Sequence, residues 1–124
     1  MNTNKNKLIF VTRNTTALSS DDVLSVCDYA LNGCNKLQEC HLPNVTYVGN
    51  YGFSSCSKPL SDEQLSNLEF VGTNAFSGVT HGDLTYLNLK NLTNSSLKSN
   101  AFGTMNSLKV LAADNAKEIE NNFI

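Results

Sequence analysis

The residues of this sequence that could do chemistry are four cysteines and two histidines. They are Cys27, Cys34, Cys40, Cys56, His41 and His81. An even number of cysteines permits disulfide pairing. The alternative is that the thiols serve as small apolar side chains in a core. The cysteine count leaves both interpretations open, so the choice depends on the elements that carry these residues.

The same side chains form no familiar metal or nucleophile motif. Cys40 and His41 are adjacent, so in a strand they would point to opposite faces. No C-x-x-C pair of the kind typical of structural zinc occurs. The sequence also lacks G-x-S-x-G, a glycine-rich phosphate loop and H-E-x-x-H. We therefore expect no enzyme, no metal and no other cofactor.

Composition and charge argue against two classes of partner. The 124 residues carry 9 basic and 11 acidic side chains, a formal net charge of −2, with no basic stripe. This balance does not favour nucleic acid. The apolar runs are only a few residues long, so no membrane insertion is predicted. The length is enough for a single domain.

A short phrase with a large apolar residue near its middle recurs along the chain. Its copies are VCDYALNGC (26–34), VGNYGFSSC (48–56), VGTNAFSG (71–78) and LKSNAFGTM (97–105). The large residue is Leu31, Phe53, Phe76 or Phe102, and a shortened last copy ends near Phe123. The steps define four to five units of 21–26 residues. A fixed period of this length is typical of a stacked repeat protein.

A second pattern precedes each phrase. Asn44, Asn91 and Asn115 each follow two alternating apolar positions, and Asn67 follows a weaker copy with Glu63 in the first slot and Leu65 in the second. Alternation predicts a short strand with one buried face, and stacked units would build a parallel sheet at about 4.8 Å per strand. The predicted core residues are Val26, Leu31, Leu42, Val48, Phe53, Leu65, Val71, Phe76, Leu87, Leu89, Leu97, Phe102 and Leu111.

The remaining slots of the unit have predicted structural roles. Each Asn is expected to turn the chain and to bond exposed backbone groups of the bend. Gly49 and Gly72 are expected to supply a positive φ in a second turn. The A-F piece is interpreted as a short helical or 3₁₀ turn. Residues 1–21 are assigned to an N-terminal strand or cap, and residues 22–124 to the repeats.

The period also bears on the cysteines. Cys34 and Cys56 share a slot with Val79, and Cys40 shares one with Leu87. These are core slots, which favours buried thiols. A disulfide between Cys34 and Cys56, in equivalent slots one unit apart, remains the alternative.

The unit L-x-x-φ-x-L-x-N-φ-x-x-φ-G-x-x-A-F-x-x-φ, where φ is apolar, resembles the leucine-rich repeat, and within it the BspA-like subclass. HLPNVTYVGNYGFSSC (41–56) and NLEFVGTNAFSG (67–78) carry the resemblance. It implies an α/β repeat solenoid in the form of a right-handed horseshoe. A parallel sheet would line the concave face, with short helical, 3₁₀ or irregular segments on the convex face.

The outward positions of the predicted leucine strands are the candidate binding face. They are Glu39, His41, Gln64, Ser66, Tyr86, Asn88, Lys90 and Asp114. Repeat proteins commonly bind through such a surface, and tyrosine is a frequent interface anchor.

The resemblance implies a non-enzymatic protein-binding module of a cell-surface or adhesion protein, with a host extracellular protein or a cell-surface partner as ligand. The alternative is a structural spacer or an intracellular scaffold without its own ligand. LIFV (8–11) is too short for a signal-peptide core. We therefore expect a segment of a longer exported protein, with a cytoplasmic location as the alternative. The chain stops inside a repeat, which predicts an uncapped edge able to make end-to-end contacts.

Overall fold

The computed structural model describes residues 2–57, 60–79, 86–93, 96–97, 101–104, 110–112 and 118–119. These residues contain short strands and one five-residue helix, α1 (Asp62–Ser66). The strands are β1 (Asn2–Asn4), β2 (Lys7–Phe10), β3 (Ala17–Ser19), β4 (Ser25–Val26), β5 (Glu39–His41), β6 (Tyr47–Val48), β7 (Phe70–Val71), β8 (Tyr86–Asn88), β9 (Ser96–Leu97), β10 (Val110–Ala112) and β11 (Glu118–Ile119).

One sheet has five strands in the order β1-β2-β4-β6-β7, and we call it the valine sheet. β1 is antiparallel to β2, and the later pairs are all parallel. Leu8, Val26, Val48 and Val71 lie opposite one another in successive strands and are at most 3% exposed. This column is the apolar ladder that neighbouring coils of the chain bury together.

The strands β3, β5, β8 and β10 form a second set, which we call the leucine strands. β3 pairs in parallel with β5, and β8 pairs in parallel with β10. Along the chain each leucine strand is followed by a two-residue strand outside this set: β3 by β4, β5 by β6, β8 by β9, and β10 by β11. A coil that contains a leucine strand therefore continues into a short strand outside this set, and this order recurs along the chain.

In one coil the helix α1 takes the place of a leucine strand. Ser61 Oγ accepts a hydrogen bond from the Gln64 N–H at 3.3 Å, and Gln64 Oε1 accepts one from the Ser61 N–H at 2.9 Å. This reciprocal capping box starts a helix. The expected outward strand positions of Gln64 and Ser66 are therefore wrong: Gln64 is 7% exposed, and Ser66 Oγ donates to the Glu63 carbonyl.

The phenylalanines of the recurring phrase form one buried column. Phe53, Phe76 and Phe102 are each 0% exposed. The ring centroids of Phe53 and Phe76 are 5.1 Å apart, and those of Phe76 and Phe102 are 6.1 Å apart, with nearly parallel planes. The other predicted core residues with described side chains are also buried. The side chains of Leu97 and Leu111 lie outside the described residues.

The phrase itself folds as overlapping turns. Around Phe53, the Gly52 N–H bonds to the Gly49 carbonyl three residues back, and the Phe53 N–H bonds to Ala75 of the next coil at 2.7 Å. Tyr29, Tyr51 and Asn74 occupy one column with φ of 63°, 57° and 54°. A left-handed residue at this point cannot continue a right-handed helix. In the described copies the segment is therefore a series of single turns closed by hydrogen bonds to the carbonyl three residues back, and it does not continue as a helix.

Gly49 and Gly72 have a different role from the one expected, because neither has a positive φ. A Cβ on Gly72 would lie 2.5 Å from Asn50 Oδ1 and 2.7 Å from the Asn50 backbone nitrogen. A Cβ on Gly49 would likewise clash with Asp28 Oδ1. Each glycine thus leaves room for a side chain of the preceding coil.

The side chains over these glycines join neighbouring coils. Asp28 Oδ1 accepts a hydrogen bond from the Asn50 N–H at 2.8 Å, and Asn50 Oδ1 accepts one from the Thr73 N–H at 2.9 Å. Bonds of this kind satisfy backbone donors that a turn would otherwise leave open.

The N-terminal residues belong to the same stack. β2 pairs with β4 and β3 pairs with β5, both in parallel. Leu8, Val11 and Leu18 are buried in the common core. Residues 7–19 thus supply strands to both sets, while β1 covers the outer edge of β2. The expected boundary between 1–21 and 22–124 has no counterpart in this strand pairing.

Candidate binding surfaces

The outward side of β5 presents two of the predicted face residues. Glu39 and His41 are exposed, and Cys40 between them packs against the core. In register with them on β3 are Ala17 and Ser19, also exposed. Strand alternation therefore gives one small polar patch at Glu39 and His41.

A second patch follows β8. Asn88 is half-buried, and its Oδ1 accepts a hydrogen bond from the Lys90 N–H at 3.0 Å. Lys90 is exposed. The backbones of Tyr86 and Asn88 lie opposite Val110 and Ala112 of β10. The Tyr86 side chain, His81, Asp114 and Asn115 lie outside the described residues.

The helix α1 separates these two patches. It lies in the chain between β5 and β8, and it packs beside β8. The predicted continuous row of outward strand residues is therefore interrupted at Gln64 and Ser66. What remains of it among the described side chains is Glu39 with His41 on one side, and Asn88 with Lys90 on the other.

Two of the repeated asparagines tie consecutive coils together. Asn44 Nδ2 donates to the Asp21 carbonyl at 2.8 Å, and Asn91 Nδ2 donates to the Ser66 carbonyl at 3.1 Å. Asn67 instead ends α1, where its N–H bonds to the carbonyls of Gln64 and Leu65.

All four cysteines are thiols. Cys34 and Cys56 are buried, while Cys27 and Cys40 are half-buried. The Cys34 thiol lies 3.8 Å from the Val11 carbonyl, to which it is a weak donor. Burial raises the pKa of Cys34 above its ordinary 9.0, and the nearby Arg13 guanidinium opposes this shift. Across the described part of the chain, no cluster of His, Cys, Asp and Glu side chains could hold a metal ion.

The outer face of the valine sheet holds a surface that the sequence did not reveal. A cleft of about 580 Å³ opens there. Its lining is Lys7, Ile9, Ser25, Cys27, Asp28 and Tyr47. Ile9 is 38% exposed and Tyr47 is 41% exposed. We call this feature the Ser25 cleft.

Two pairs of aromatic side chains outside the buried core are also stacked. Tyr47 stacks on Phe70 with ring centroids 4.7 Å apart. Tyr29, 56% exposed, stacks on Tyr51 at 5.0 Å, and Tyr51 Oη accepts a hydrogen bond from Asn74 Nδ2. The signal that could have revealed the first stack is the aromatic residue before the inward valine in both YV (47–48) and FV (70–71).

Among the described residues, no helix has both the length and the apolar character that a membrane crossing requires. A family model described as the BspA type leucine rich repeat region matches residues 7–124, in six copies. No curated protein and no solved structure matches the chain.

Proposed function

Since the chain belongs to the BspA-type leucine-rich repeat family, whose repeats form a solenoid, we propose that it is a non-enzymatic protein-binding module of a cell-surface or adhesion protein. Its ligand would be a host extracellular protein or a partner on another cell. The leucine strands would line the concave face of a right-handed horseshoe, and this face would make the contact.

The proposal rests mainly on the alternation of core-facing and exposed side chains along β5. Cys40 packs against the core, whereas Glu39 and His41 on either side of it are exposed. The stack fixes the backbone at these positions, so their side chains can vary without disturbing the packing. Solenoid proteins commonly bind through surfaces of this kind.

The two patches would contribute different contacts. Glu39 and His41 offer a carboxylate and an imidazole, and Lys90 offers an ammonium group beyond Asn88. Tyr86 and Asp114 are proposed members of the same face. Each contact is small, so useful affinity would come from several repeats acting together, and from avidity in a longer array.

The test is a binding measurement on immobilised extracellular matrix proteins. We expect the double variant Glu39→Ala/Lys90→Ala to bind at least about tenfold more weakly than the wild type, because charged groups at an interface contribute both contacts and orientation. Surface plasmon resonance would give the affinities, and circular dichroism would show that the fold is intact.

The matched control is Asp22→Ala/Lys36→Ala, which also removes one acidic and one basic side chain. Both residues are exposed and lie outside the strands. This control should bind like the wild type. Equal losses in both double variants, or no loss in either, would contradict the proposed face. A wild-type chain that binds none of the matrix proteins would favour a spacer or scaffold without its own ligand.

A further inference from the structure

We propose that the Ser25 cleft on the valine sheet binds one aromatic side chain of a protein partner. This surface is separate from the leucine strands, so it goes beyond the function proposed above. The cleft lies where a stack of aromatic rings stops. Phe70 and Tyr47 are opposite each other on β7 and β6, and their rings are stacked at 4.7 Å.

The next position of the same column is Ser25 on β4. It lies opposite Tyr47 on one side and opposite Lys7 of β2 on the other. Adjacent strands are about 4.8 Å apart, close to the spacing of stacked rings. A ring placed over Ser25 would therefore continue the stack on the face of Tyr47 turned away from Phe70.

The position over Ser25 is open because the serine side chain is much smaller than its neighbours in the column. Serine leaves a gap between Tyr47 and Lys7, two strands apart, and all three residues line the 580 Å³ cleft. Ile9 of β2 and Cys27, the residue after β4, also line the cleft. The gap has an aromatic face on one side and an aliphatic stem ending in a positive charge on the other.

The lining has one charged group of each sign, Lys7 and Asp28, and the Asp28 carboxylate accepts a hydrogen bond from the Asn50 N–H. The Lys7 ammonium favours one kind of occupant. The Lys7 ammonium is attracted to the electron-rich face of an aromatic ring, whereas it gains nothing from an aliphatic side chain. Tyr47 favours a ring by stacking. Together these groups fit a tyrosine or phenylalanine side chain better than a leucine of similar volume.

The experiment is a nuclear magnetic resonance titration of the ¹⁵N-labelled chain with N-acetyltyrosinamide, using N-acetylleucinamide as the comparison probe. We expect saturable shifts at the backbone amides of Ser25, Cys27 and Tyr47 with the tyrosine probe. The leucine probe should bind at least about fivefold more weakly. Equal affinity for both probes, or tyrosine-probe shifts centred elsewhere, would overturn the proposal.

Two variants test the position directly. Ser25→Tyr should fill the cleft with its own ring and abolish probe binding, whereas Ser19→Tyr adds the same side chain to an exposed serine of β3 and should leave it unchanged. Lys7 is exposed, and Lys7→Gln should weaken binding of the tyrosine probe about two- to fivefold. Retained binding in a folded Ser25→Tyr chain would contradict the proposal. If Ser25→Tyr does not fold, an unchanged affinity of Lys7→Gln for the tyrosine probe would contradict the proposal.

Discussion

Replacing Phe76 with alanine is expected to lower the free energy of unfolding by about 3–5 kcal/mol, the range for deleting a buried aromatic ring. Phe76 is 0% exposed and lies between the rings of Phe53 and Phe102. Coils above and below hold the cavity open, so the surrounding chain cannot easily collapse into it. Urea unfolding followed by circular dichroism measures the loss.

The matched control is Phe10→Ala. Phe10 is 53% exposed at the end of β2, so the same chemical deletion should cost less than about 1 kcal/mol. Similar losses in the two variants would mean that Phe76 has no special place in the core. The shared register of the recurring phrase would then be in error.

Gly72→Ala is expected to be the second severe change, at about 3 kcal/mol, the upper end of the usual range for extra atoms forced into a packed site. The new Cβ would lie 2.7 Å from the Asn50 nitrogen and 2.8 Å from the Gly49 carbonyl carbon. Both are backbone atoms, so two coils would have to move apart. The hydrogen bond from the Thr73 N–H to Asn50 Oδ1 would be strained with them.

Gly78→Ala separates this steric effect from backbone conformation. Gly78 has a φ of +78°, and the three atoms nearest to a Cβ there would all belong to Ser55, the closest at 3.1 Å. Alanine at this position should cost about 1 kcal/mol, the penalty of a left-handed conformation. Thermal unfolding of the two variants ranks them. If Gly78→Ala is the more damaging, close approach is not the reason for glycine at position 72.

The buried side of this fold was predictable because packing repeats. Phe53, Phe76 and Phe102 fill one column in successive coils, so a shared sequence position means a shared buried place. The strands carrying Cys40 and Leu87 were predictable for the same reason, since their alternation follows from one buried face.

In other places a local sequence signal, and not the repeat period, determined the structure. Ser61 and Gln64 close a capping box, which is a four-residue signal independent of the repeat, and the coil forms α1 instead of a strand. Gly72 shows a second limit. A glycine needed for close approach looks the same in sequence as one needed for a positive φ, and only the position of Asn50 distinguishes the two cases.

The candidate surfaces were harder to predict than the core. Strand alternation in the sequence was enough to predict that Glu39 and His41 are exposed. The Ser25 cleft was not, because it depends on which side chains stand on neighbouring strands: Lys7, Ser25 and Tyr47 are far apart in sequence and meet only through the register of the valine sheet. The sequence of a single coil cannot show that its small residue will lie between two large residues of the neighbouring strands.

Copies of one phrase stack directly on each other, one coil apart, and both proposed surfaces depend on that register. The most direct test is a nuclear Overhauser measurement between assigned phenylalanine rings. We expect cross-peaks between Phe53 and Phe76, whose centroids are 5.1 Å apart, and between Phe76 and Phe102 at 6.1 Å. Assigned rings of Phe53 and Phe76 that show no cross-peak in the folded protein would contradict this stacking.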